Sequence, residues 1–517
     1  MIEHPSMQFE ETLRAVQLRD RAGSNPRISD VVYDSRNVTA GALFVAMQGG
    51  TTDGNRFVDT ALQQGAAALV TDSEPTWQKI RADHPELAVG VVEHGRRALA
   101  EISANFFSHP ERSLRLSGVT GTNGKTTTTY LLESMLRSAG RISVLVGTIE
   151  YHLGSEVRPS PHTTPESRDL FQLFAEGVAV GATEGVMEVS SHALEQGRVW
   201  GLHWDTAVFT NLTQDHLDFH GTMEAYFAAK AKMFTGAVGA PPPRVAIVHS
   251  EDEYGRRLVP IARAAGCEVV EFGLNRGDFH AAGVALGANG TRFQMMTPTG
   301  SLDLHTRLPG PVNVLNLLAA SAAAMARGLT HDEIARGVEA IAYVPGRFQT
   351  VDCGQPFTVA VDYAHTDDAL RNVTRLARQL AAPRHGRVIT VFGCGGDRDR
   401  SKRPRMGLAA GEGSDLVVAT SDNPRSENPD AILGEILPGL KESGVSFEVE
   451  ADRASAIRIA VGRAQENDVV LIAGKGHEKV QVLRDRTIPF DDAAEARKAL
   501  LERYGKSPRA ELGMKCN

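Results

Sequence analysis

The chain contains few cysteines, and the four that it has lie far apart, at positions 267, 353, 394 and 516. This scatter excludes a dense disulfide framework and the close cysteine pairs of zinc sites, and it is typical of a reducing cytoplasm. The sequence also lacks an apolar run of about 18 residues, the length that a membrane-spanning helix needs. Residues 1–12 lack the apolar core of a signal peptide. We therefore expect a cytoplasmic protein that is neither secreted nor inserted in a membrane.

Basic residues are not in excess, since 55 Lys and Arg stand against 63 Asp and Glu and the net charge is -8. A nucleic-acid-binding surface normally needs clustered basic residues, so no nucleic-acid partner is expected. One short basic cluster, Lys402, Arg403 and Arg405, is predicted to be a solvated face. At roughly 150 residues per domain the length indicates about three domains. We place them at 1–93, 94–344 and 345–517.

A glycine-rich turn at 118–127 separates a strand-like apolar run from a helical stretch. Strand, glycine turn and helix together form a phosphate cradle, because turn N–H groups and the helix N-terminus attract anions. Lys125 is expected to reach the outer phosphates, and the Thr126 hydroxyl to ligate Mg²⁺. The glycine spacing departs from the usual P-loop, which would have a glycine at position 119. The alternative is an ordinary helix-capping turn.

Two further regions of the first and second domains carry polar groups after apolar runs. Segments 34–36 and 49–54 offer donors to an anionic or sugar ligand, although turn chemistry explains them equally well. Glu188 ends an apolar run of the second domain. Ligands of open α/β sheets bind at the carboxyl ends of the strands, so we expect Glu188 to face the phosphates near Lys125.

Segment 215–220 holds two carboxylates and two imidazoles. Zinc would need His216 and His220 on one helix face and has no cysteine nearby, so Mg²⁺ with a partial protein shell is favoured. Lys230 follows in an Ala-rich helix, where the pattern alone favours an exposed charge. Asn313 and Asn316 either bind a base or cap the helix that follows them.

In the third domain, the strand-like runs 388–394, 416–420 and 469–473 each lead into a loop rich in charged residues. The three loops are expected to gather at one sheet edge. They would present Arg398, Arg425, Lys475 and several carboxylates to an anionic or zwitterionic ligand. The alternative is a chance cluster of solvated charges.

The order of these motifs resembles the Mur ligase family of peptidoglycan synthesis, in particular its MurE type. The matching segments run through all three domains: 34–36, 121–127, 163–165, 187–192, 211–218, 362–366, 422–425 and 474–478. The resemblance also accounts for the unusual glycine spacing, which is the family's own. It implies an α/β fold in which a central P-loop mononucleotide-binding domain is flanked by a small N-terminal α/β domain and a C-terminal Rossmann-like domain.

The resemblance implies a set of site residues for each substrate. UDP-MurNAc-L-Ala-D-Glu would lie along Tyr33, Ser35, Gly50, Thr51, Thr52, Thr163, Thr164, Ser190, Gln196 and Arg198. ATP would contact Gly121, Thr122, Asn123, Gly124, Lys125, Thr126, Thr127, Asn313, Asn316, Arg347 and His365. An amino-acid pocket would consist of Arg398, Asp422, Asn423, Pro424, Arg425, Gly474 and Glu478.

The resemblance also implies the catalytic set, Lys125, Glu188, His216 and Lys230. Mg²⁺ would be bound by Thr126, Glu188, His216 and a Lys230 that CO₂ has carbamylated, which reverses the expectation of an exposed Lys230. The acceptor would be meso-diaminopimelate, because Arg425 can grip the second carboxylate that lysine lacks. One departure is Asp367, where the family usually has proline after the His-Thr pair.

The implied reaction is ATP-dependent amide formation through an acyl phosphate, in cell-wall synthesis and hence in cell shape and division. A monomer that acts on small molecules is expected, with domain closure over the acyl phosphate. The alternatives are a lysine-adding ligase, a folylpolyglutamate synthetase, a P-loop switch ATPase and a noncatalytic UDP-sugar-binding protein.

Overall fold

The computed structural model describes residues 6–50, 52–287 and 290–505, so the predicted site residue Thr51 lies outside the described residues. The described residues within Met1–Leu212, Thr222–His280 and Leu317–Gly337 form a first compact unit. Those within Thr213–Gly221, Ala281–Asn316 and Val338–Asn517 form a second unit. No helix in the described part of the chain is both long and apolar enough to cross a membrane.

The first unit begins with a small five-stranded sheet of order β2-β7-β6-β5-β4, parallel except for β2. Strand β5 is buried along its whole length, because helices cover both faces of a parallel sheet. The strands of this region are β1 (Met7–Gln8), β2 (Leu18–Ala22), β3 (Arg27–Ile28), β4 (Asp30–Val32), β5 (Ala42–Ala46), β6 (Ala68–Thr71) and β7 (Ala88–Val92). The helices are α1 (Phe9–Thr12), α2 (Val58–Gln63), α3 (Glu74–Asp83) and α4 (Gly95–Phe106).

An eight-stranded sheet of order β11-β10-β9-β12-β8-β13-β14-β15 follows. Its strands are β8 (Arg115–Thr120), β9 (Ser143–Val146), β10 (Glu150–Leu153), β11 (Glu156–Pro159), β12 (Glu184–Glu188), β13 (Thr206–Phe209), β14 (Val245–His249) and β15 (Glu268–Phe272). The helices in this part of the chain are α5 (Lys125–Ser138), α6 (Ser167–Ala179), α7 (Ser191–Gln196), α8 (Leu217–His220), α9 (Met223–Thr235) and α10 (Glu253–Ala264). Helix α8 belongs to the second unit. Strand β8 packs tightly, since a Cβ on Gly118 would lie 2.2 Å from Met233 Cε.

A buried arginine joins the amino ends of three central strands. Arg327 is fully buried, and its Nη1 donates to Asp205 Oδ2 at 2.6 Å, just before β13. Its Nη2 donates to the Arg115 carbonyl of β8 at 2.9 Å and also bonds the carboxylate of Glu184, the first residue of β12. A buried charge must be paired to be tolerated, so these two carboxylates and Arg327 form one structural unit.

The second unit holds a three-stranded sheet in which β17 and β18 are antiparallel, and a six-stranded sheet of order β19-β20-β24-β21-β22-β23, parallel except for β19. Alternate residues of its central strands enter two separate apolar cores, one on each face. The remaining strands are β16 (His280–Gly287), β17 (Gly290–Thr297), β18 (Gly300–Thr306), β19 (Gln349–Thr350), β20 (Thr358–Asp362), β21 (Val388–Phe392), β22 (Leu416–Ala419), β23 (Ser446–Val449), β24 (Val469–Ala473), β25 (Val480–Val482) and β26 (Thr487–Pro489). The remaining helices are α11 (Pro311–Ala326), α12 (His331–Ala340), α13 (Asp367–Ala381), α14 (Lys402–Gly413), α15 (Pro429–Ser443), α16 (Arg453–Arg463) and α17 (Asp492–Tyr504).

The α/β fold class is confirmed, and so is the prediction that three charged loops gather at one sheet edge. Strands β24, β21 and β22 are neighbours and run parallel, so the loops that follow them leave from the same edge. The predicted domain limits stay predictions. Two local predictions are wrong. Arg403 is not solvated but only 1% exposed, and Asn316 cannot cap a helix because it lies inside α11.

Candidate active site

The glycine-rich loop between β8 and α5 is built against the end of β13. Gly121 has φ of 148°, and a Cβ there would lie 1.9 Å from Thr210 Oγ1, so only glycine fits. Asn211 fastens the loop from the same side: its carbonyl accepts from Thr122 N and its Oδ1 accepts from Asn123 N, both at 2.9 Å. Thr210 and Asn211 were not among the predicted site residues, although Asn211 opens the matching segment 211–218; both donate to the Asn123 carbonyl, about 90 residues away in the sequence.

Lys125 opens α5 at the point where the loop ends. Its Nζ donates to the carbonyls of Gly121 at 2.9 Å and Thr122 at 2.8 Å, which keeps the ammonium group over the loop. Gly124 precedes it with φ of 88°, a conformation that favours glycine. The positive end of the α5 dipole and the ammonium group therefore lie at one loop, which is the arrangement that binds phosphate. Thr127 is buried in the same first turn of α5.

Glu188 lies beside the start of α5, as the strand pattern predicted. The Thr126 hydroxyl donates to Glu188 Oε2 at 3.0 Å. Thr148 adds two donors, its N–H to Oε1 at 2.7 Å and its hydroxyl to Oε2 at 3.0 Å. Glu188 is fully buried, and a Cβ on Gly147 would lie 2.7 Å from its Oε1. Carboxylate and hydroxyl oxygens of this kind are the ligands that Mg²⁺ prefers.

Lys230 reaches the same loop from α9. Its side chain is buried, with Nζ 2.9 Å from the Gly121 carbonyl, 3.5 Å from Thr120 Oγ1 and 4.7 Å from the Tyr226 ring centroid. The exposed charge that the local pattern favoured is therefore wrong. His216 belongs to the second unit, where it precedes α8 with φ of 53° and its Nε2 lies 3.4 Å from Asp215 Oδ2.

The residues expected along the dipeptide form one hydrogen-bonded network in the first unit. Thr164 Oγ1 donates to the Glu188 carbonyl at 2.8 Å and accepts from Ser190 N at 3.1 Å. Arg198 donates to the Thr164 carbonyl at 3.0 Å and to Gln196 Oε1 at 2.8 Å. The same network includes Thr163, whose hydroxyl lies 3.0 Å from that of Thr148, and Glu166, which is 3.1 Å from Arg198 and was not predicted.

The residues expected at the UDP end lie in the small sheet and its loops. Tyr33 donates its hydroxyl to Asp169 Oδ2 at 2.6 Å, and burial together with this carboxylate raises its pKa above the ordinary value. Ser35 is buried. The loop that contains Gly50 is closed by a bond from Gly49 N to the Thr52 carbonyl at 2.9 Å. No local motif marks Asp169, which is 136 residues from Tyr33.

The expected amino-acid pocket lies in the second unit, on the loops after β22 and β24. Asn423 Nδ2 donates to Glu478 Oε2 at 2.8 Å, which joins the two loops. Arg425 has φ of 51°, its N–H donates to the Val482 carbonyl at 3.1 Å, and its Nη1 donates to the Gly396 carbonyl at 2.7 Å. Gly474 has φ of 122°, a conformation that favours glycine, and a Cβ there would lie 2.6 Å from Asp422 Oδ2. Pro424 is buried, whereas Arg398 is exposed.

Charged groups under this pocket shape its loops. Burial raises the pKa of Asp422 above its ordinary value, although the charges of Arg453 and Lys475 oppose the shift. Lys475 is fully buried, so the prediction that it is presented to a ligand is wrong.

Arg403 supports a neighbouring loop. It donates to Glu427 Oε1 at 2.7 Å and to Glu435 Oε2 at 2.8 Å. The Arg403 guanidinium lowers the pKa of Glu427 to about 2. That carboxylate also accepts from Asp397 N at 2.6 Å, so the pair supports the loop after β21.

Four residues expected near the nucleotide lie in the second unit. The guanidinium carbon of Arg347 lies 4.9 Å from the Tyr363 ring centroid, and His365 Nδ1 donates to the Tyr363 carbonyl at 2.8 Å. Two buried asparagines in α11 complete the set: Asn313 Nδ2 donates to the Pro309 carbonyl at 2.8 Å and Asn316 Nδ2 to Asn313 Oδ1 at 3.3 Å.

Asp367 is the first residue of α13, and Thr366 caps that helix by accepting from Ala369 N at 3.2 Å. Proline suits the first helical position, and an acidic side chain there interacts favourably with the helix dipole. Asp367, like the proline that the family usually has there, therefore suits the start of α13, next to His365.

Comparisons with known proteins agree along most of the chain. Family models match residues 27–107 (Mur ligase family, catalytic domain), 119–324 (Mur ligase middle domain) and 346–476 (Mur ligase, glutamate ligase domain). A protein from Solibacter usitatus named UDP-N-acetylmuramoyl-L-alanyl-D-glutamate--2,6-diaminopimelate ligase is 51% identical over 481 residues, which is 92% of this chain and 94% of the relative.

Solved structures show the same similarity. The structure of a UDP-N-acetylmuramoyl-L-alanyl-D-glutamate--2,6-diaminopimelate ligase superposes with a TM-score of 0.68 at 31% identity, over 96% of this chain and 99% of the other. The MurF ligase of Thermotoga maritima, solved in complex with ADP, has a TM-score of 0.61 at 19% identity, over 93% and 98% of the two chains. The second match concerns the fold alone.

Proposed function

This chain belongs to the Mur ligase family, and we propose that it joins meso-diaminopimelate to UDP-MurNAc-L-Ala-D-Glu with cleavage of ATP to ADP and phosphate. The observation that carries the proposal is the pair of loops joined by Asn423 and Glu478. These loops supply a guanidinium group, Arg425, and a carboxylate, Glu478. They complement the carboxylate and the ammonium group at the distal end of diaminopimelate.

The chemistry takes two displacements. The γ-carboxylate of D-Glu attacks the γ-phosphorus of ATP, and the bond from that phosphorus to the bridging oxygen breaks. ADP departs as the leaving group, and the product of this step is an acyl phosphate. The neutral amine of the acceptor then attacks the acyl carbon, the carbon–oxygen bond to the phosphate breaks, and the amine proton is lost. Lys125 and the N-terminus of α5 offset negative charge on the phosphates, so catalysis depends on positioning and electrostatics.

The donor set near the loop suits Mg²⁺, because the buried Glu188 carboxylate and the Thr126 hydroxyl lie together at the start of α5. These two residues would hold the ion, which supplies positive charge for the phosphate oxygens when it is bound. We propose His216 and a carbamylated Lys230 as further ligands. The buried position of Lys230, 2.9 Å from the Gly121 carbonyl, supports its role at this loop.

The two ends of the UDP substrate have separate supports. The network around Thr164, Ser190 and Arg198 would bind the peptide part, beside the Glu188 carbonyl. Tyr33, Ser35 and the loop of Gly50 and Thr52 would bind the uridine end. The nucleotide of ATP would contact Asn313, Asn316, Arg347 and His365 in addition to the phosphate loop. We propose a monomer that works in the cytoplasm.

The test is phosphate release by purified protein with ATP, Mg²⁺ and UDP-MurNAc-L-Ala-D-Glu, comparing meso-diaminopimelate with L-lysine. We expect release with diaminopimelate only, together with the tripeptide product. A preference for lysine would keep the ligase and contradict the acceptor assignment. Release without any acceptor would instead favour a switch ATPase.

A further inference from the structure

The Lys475 ammonium group lies beneath the pocket, between the loops after β22 and β24. It is fully buried, and its Nζ donates to Asn423 Oδ1 at 2.9 Å and to Glu478 Oε2 at 3.0 Å. Asp422 Oδ1 is 4.0 Å away. A buried ammonium group without solvent contact binds no substrate directly. Its three neighbours, however, all belong to the expected amino-acid pocket.

The bonds around Glu478 involve only one of its oxygens. Oε2 accepts from Lys475 Nζ and from Asn423 Nδ2, at 3.0 and 2.8 Å. Within residues 6–50, 52–287 and 290–505, no group donates to Oε1. The side chain of Glu478 keeps 29% of its surface exposed. A carboxylate can accept on both oxygens, so Oε1 retains its capacity for a ligand.

Asn423 extends the same arrangement to the neighbouring backbone. Its Oδ1 also accepts from Val482 N at 3.0 Å, and Gln481 Nε2 donates to the Asp422 carbonyl at 2.7 Å. Arg425 is fastened to the same segment through the Val482 carbonyl. Lys475 thus orients an amide that determines where the 422–425 loop meets residues 480–482.

We propose that Lys475 is a positioning residue for the acceptor. It orients Glu478 and Asn423 so that Glu478 Oε1 accepts a hydrogen bond from the distal ammonium group of the amino acid. The inference rests on the proposed function and adds a residue that touches no substrate. Removal of the charge would leave Asn423 Oδ1 and Glu478 Oε2 each without one donor, and the carboxylates of Asp422 and Glu478 would repel each other.

The test compares Lys475→Met with Lys479→Met. Lys479 is the matched control, because its side chain is 64% exposed and pairs with Asp491 at the surface. With the other substrates saturating, we expect Lys475→Met to raise the KM for diaminopimelate roughly 10- to 100-fold, because charged hydrogen bonds are lost. The KM for ATP should change less than about twofold, and the control should match the wild type.

Two further measurements separate positioning from a structural role. Lys475→Arg keeps the charge in a fork of different shape, so we expect a wild-type unfolding temperature and a KM between those of the wild type and Lys475→Met. Adding Lys475→Met to Glu478→Gln should raise the KM by less than about threefold more, because both changes affect one contact.

An unchanged diaminopimelate KM in both Lys475 variants, or fully additive effects with Glu478→Gln, would overturn the inference. If Lys475→Met does not fold, Lys475→Arg alone decides. A wild-type protein that does not use diaminopimelate would contradict the proposed function itself. A wild-type protein that uses it, beside Lys475 variants with normal KM, would contradict only the positioning role.

Discussion

Arg425→Ala should remove the discrimination between diaminopimelate and lysine. The backbone of Arg425 is held separately from its side chain, by the bond from its N–H to the Val482 carbonyl. Among the residues that the structure describes, the side chain donates to one acceptor, the Gly396 carbonyl at 2.7 Å. Its loss therefore costs only about 1 kcal/mol of folding stability, the net value of one hydrogen bond. Both residues have the same Cβ, so the strain at φ of 51° is unchanged.

The effect on the acceptor should be larger. A guanidinium–carboxylate pair contributes about 3 kcal/mol, which corresponds to roughly 100-fold in kcat/KM. We expect that fall for diaminopimelate, whereas kcat/KM for lysine should change less than about threefold because lysine has no second carboxylate. Steady-state phosphate release at saturating ATP measures both values.

Arg405→Ala, on an exposed position of α14, is the control. An equal fall in kcat/KM for diaminopimelate and for lysine would refute the assignment of Arg425 to the distal carboxylate. It would point instead to a general collapse of the loops, which thermal unfolding of the variant would reveal.

Three other predictions concern buried charges. Lys230→Ala should abolish ligase activity, and a small carboxylate added to the assay should restore part of it; full activity without the additive would contradict the carbamate. Arg403→Met should lower the free energy of unfolding in urea by about 2 kcal/mol, since Glu427 and Glu435 are only partly buried; a change below about 0.5 kcal/mol would refute its supporting role. Burial lowers the pKa of His152, but Glu133 and Glu150 outweigh that effect and raise it. The stability advantage of the wild type over His152→Gln is therefore complete below about pH 6.5 and is lost as the pH rises through the folded pKa. If the free energies of unfolding of the two proteins differed equally at pH 6 and pH 9, the proposed pairing of His152 with Glu133 and Glu150 would be contradicted.

The sequence allowed the elements around the site to be predicted because their signals are local. The apolar runs 388–394, 416–420 and 469–473 became β21, β22 and β24, and parallel pairing brought their loops to one edge. The glycine turn before Lys125 could be predicted from the strand before it and the helix after it. The place of Glu188 followed from strand polarity, since the carboxyl end of β12 lies beside that of β8.

Buried ion pairs were not predictable in this way. Arg403 and Lys475 look like surface charges in the sequence, and their burial is tolerable because carboxylates pair with them, Glu427 and Glu435 with Arg403 and Glu478 with Lys475. Glu427 is 24 residues and Glu435 is 32 residues from Arg403. Asn316 was misplaced because the start of α11 lies five residues before it, at Pro311. Asp169 and Glu166 were missed because no motif marks them.

The buried Arg327 lies near the end of the first unit in the sequence, whereas its carboxylate partners, Glu184 and Asp205, lie much earlier. Residues 184 and 205 leave the ribosome long before residue 327, and β14 to β18 are synthesised in between. Until Arg327 emerges, the amino ends of β8, β12 and β13 lack the buried guanidinium that joins them, although Arg141 can already pair with Glu184, and Arg115 and Arg244 with Asp205. Any shortened form of the chain that stops before residue 327 therefore lacks the buried arginine that joins the amino ends of all three strands, so we expect the central sheet to be less stable without the segment 317–337.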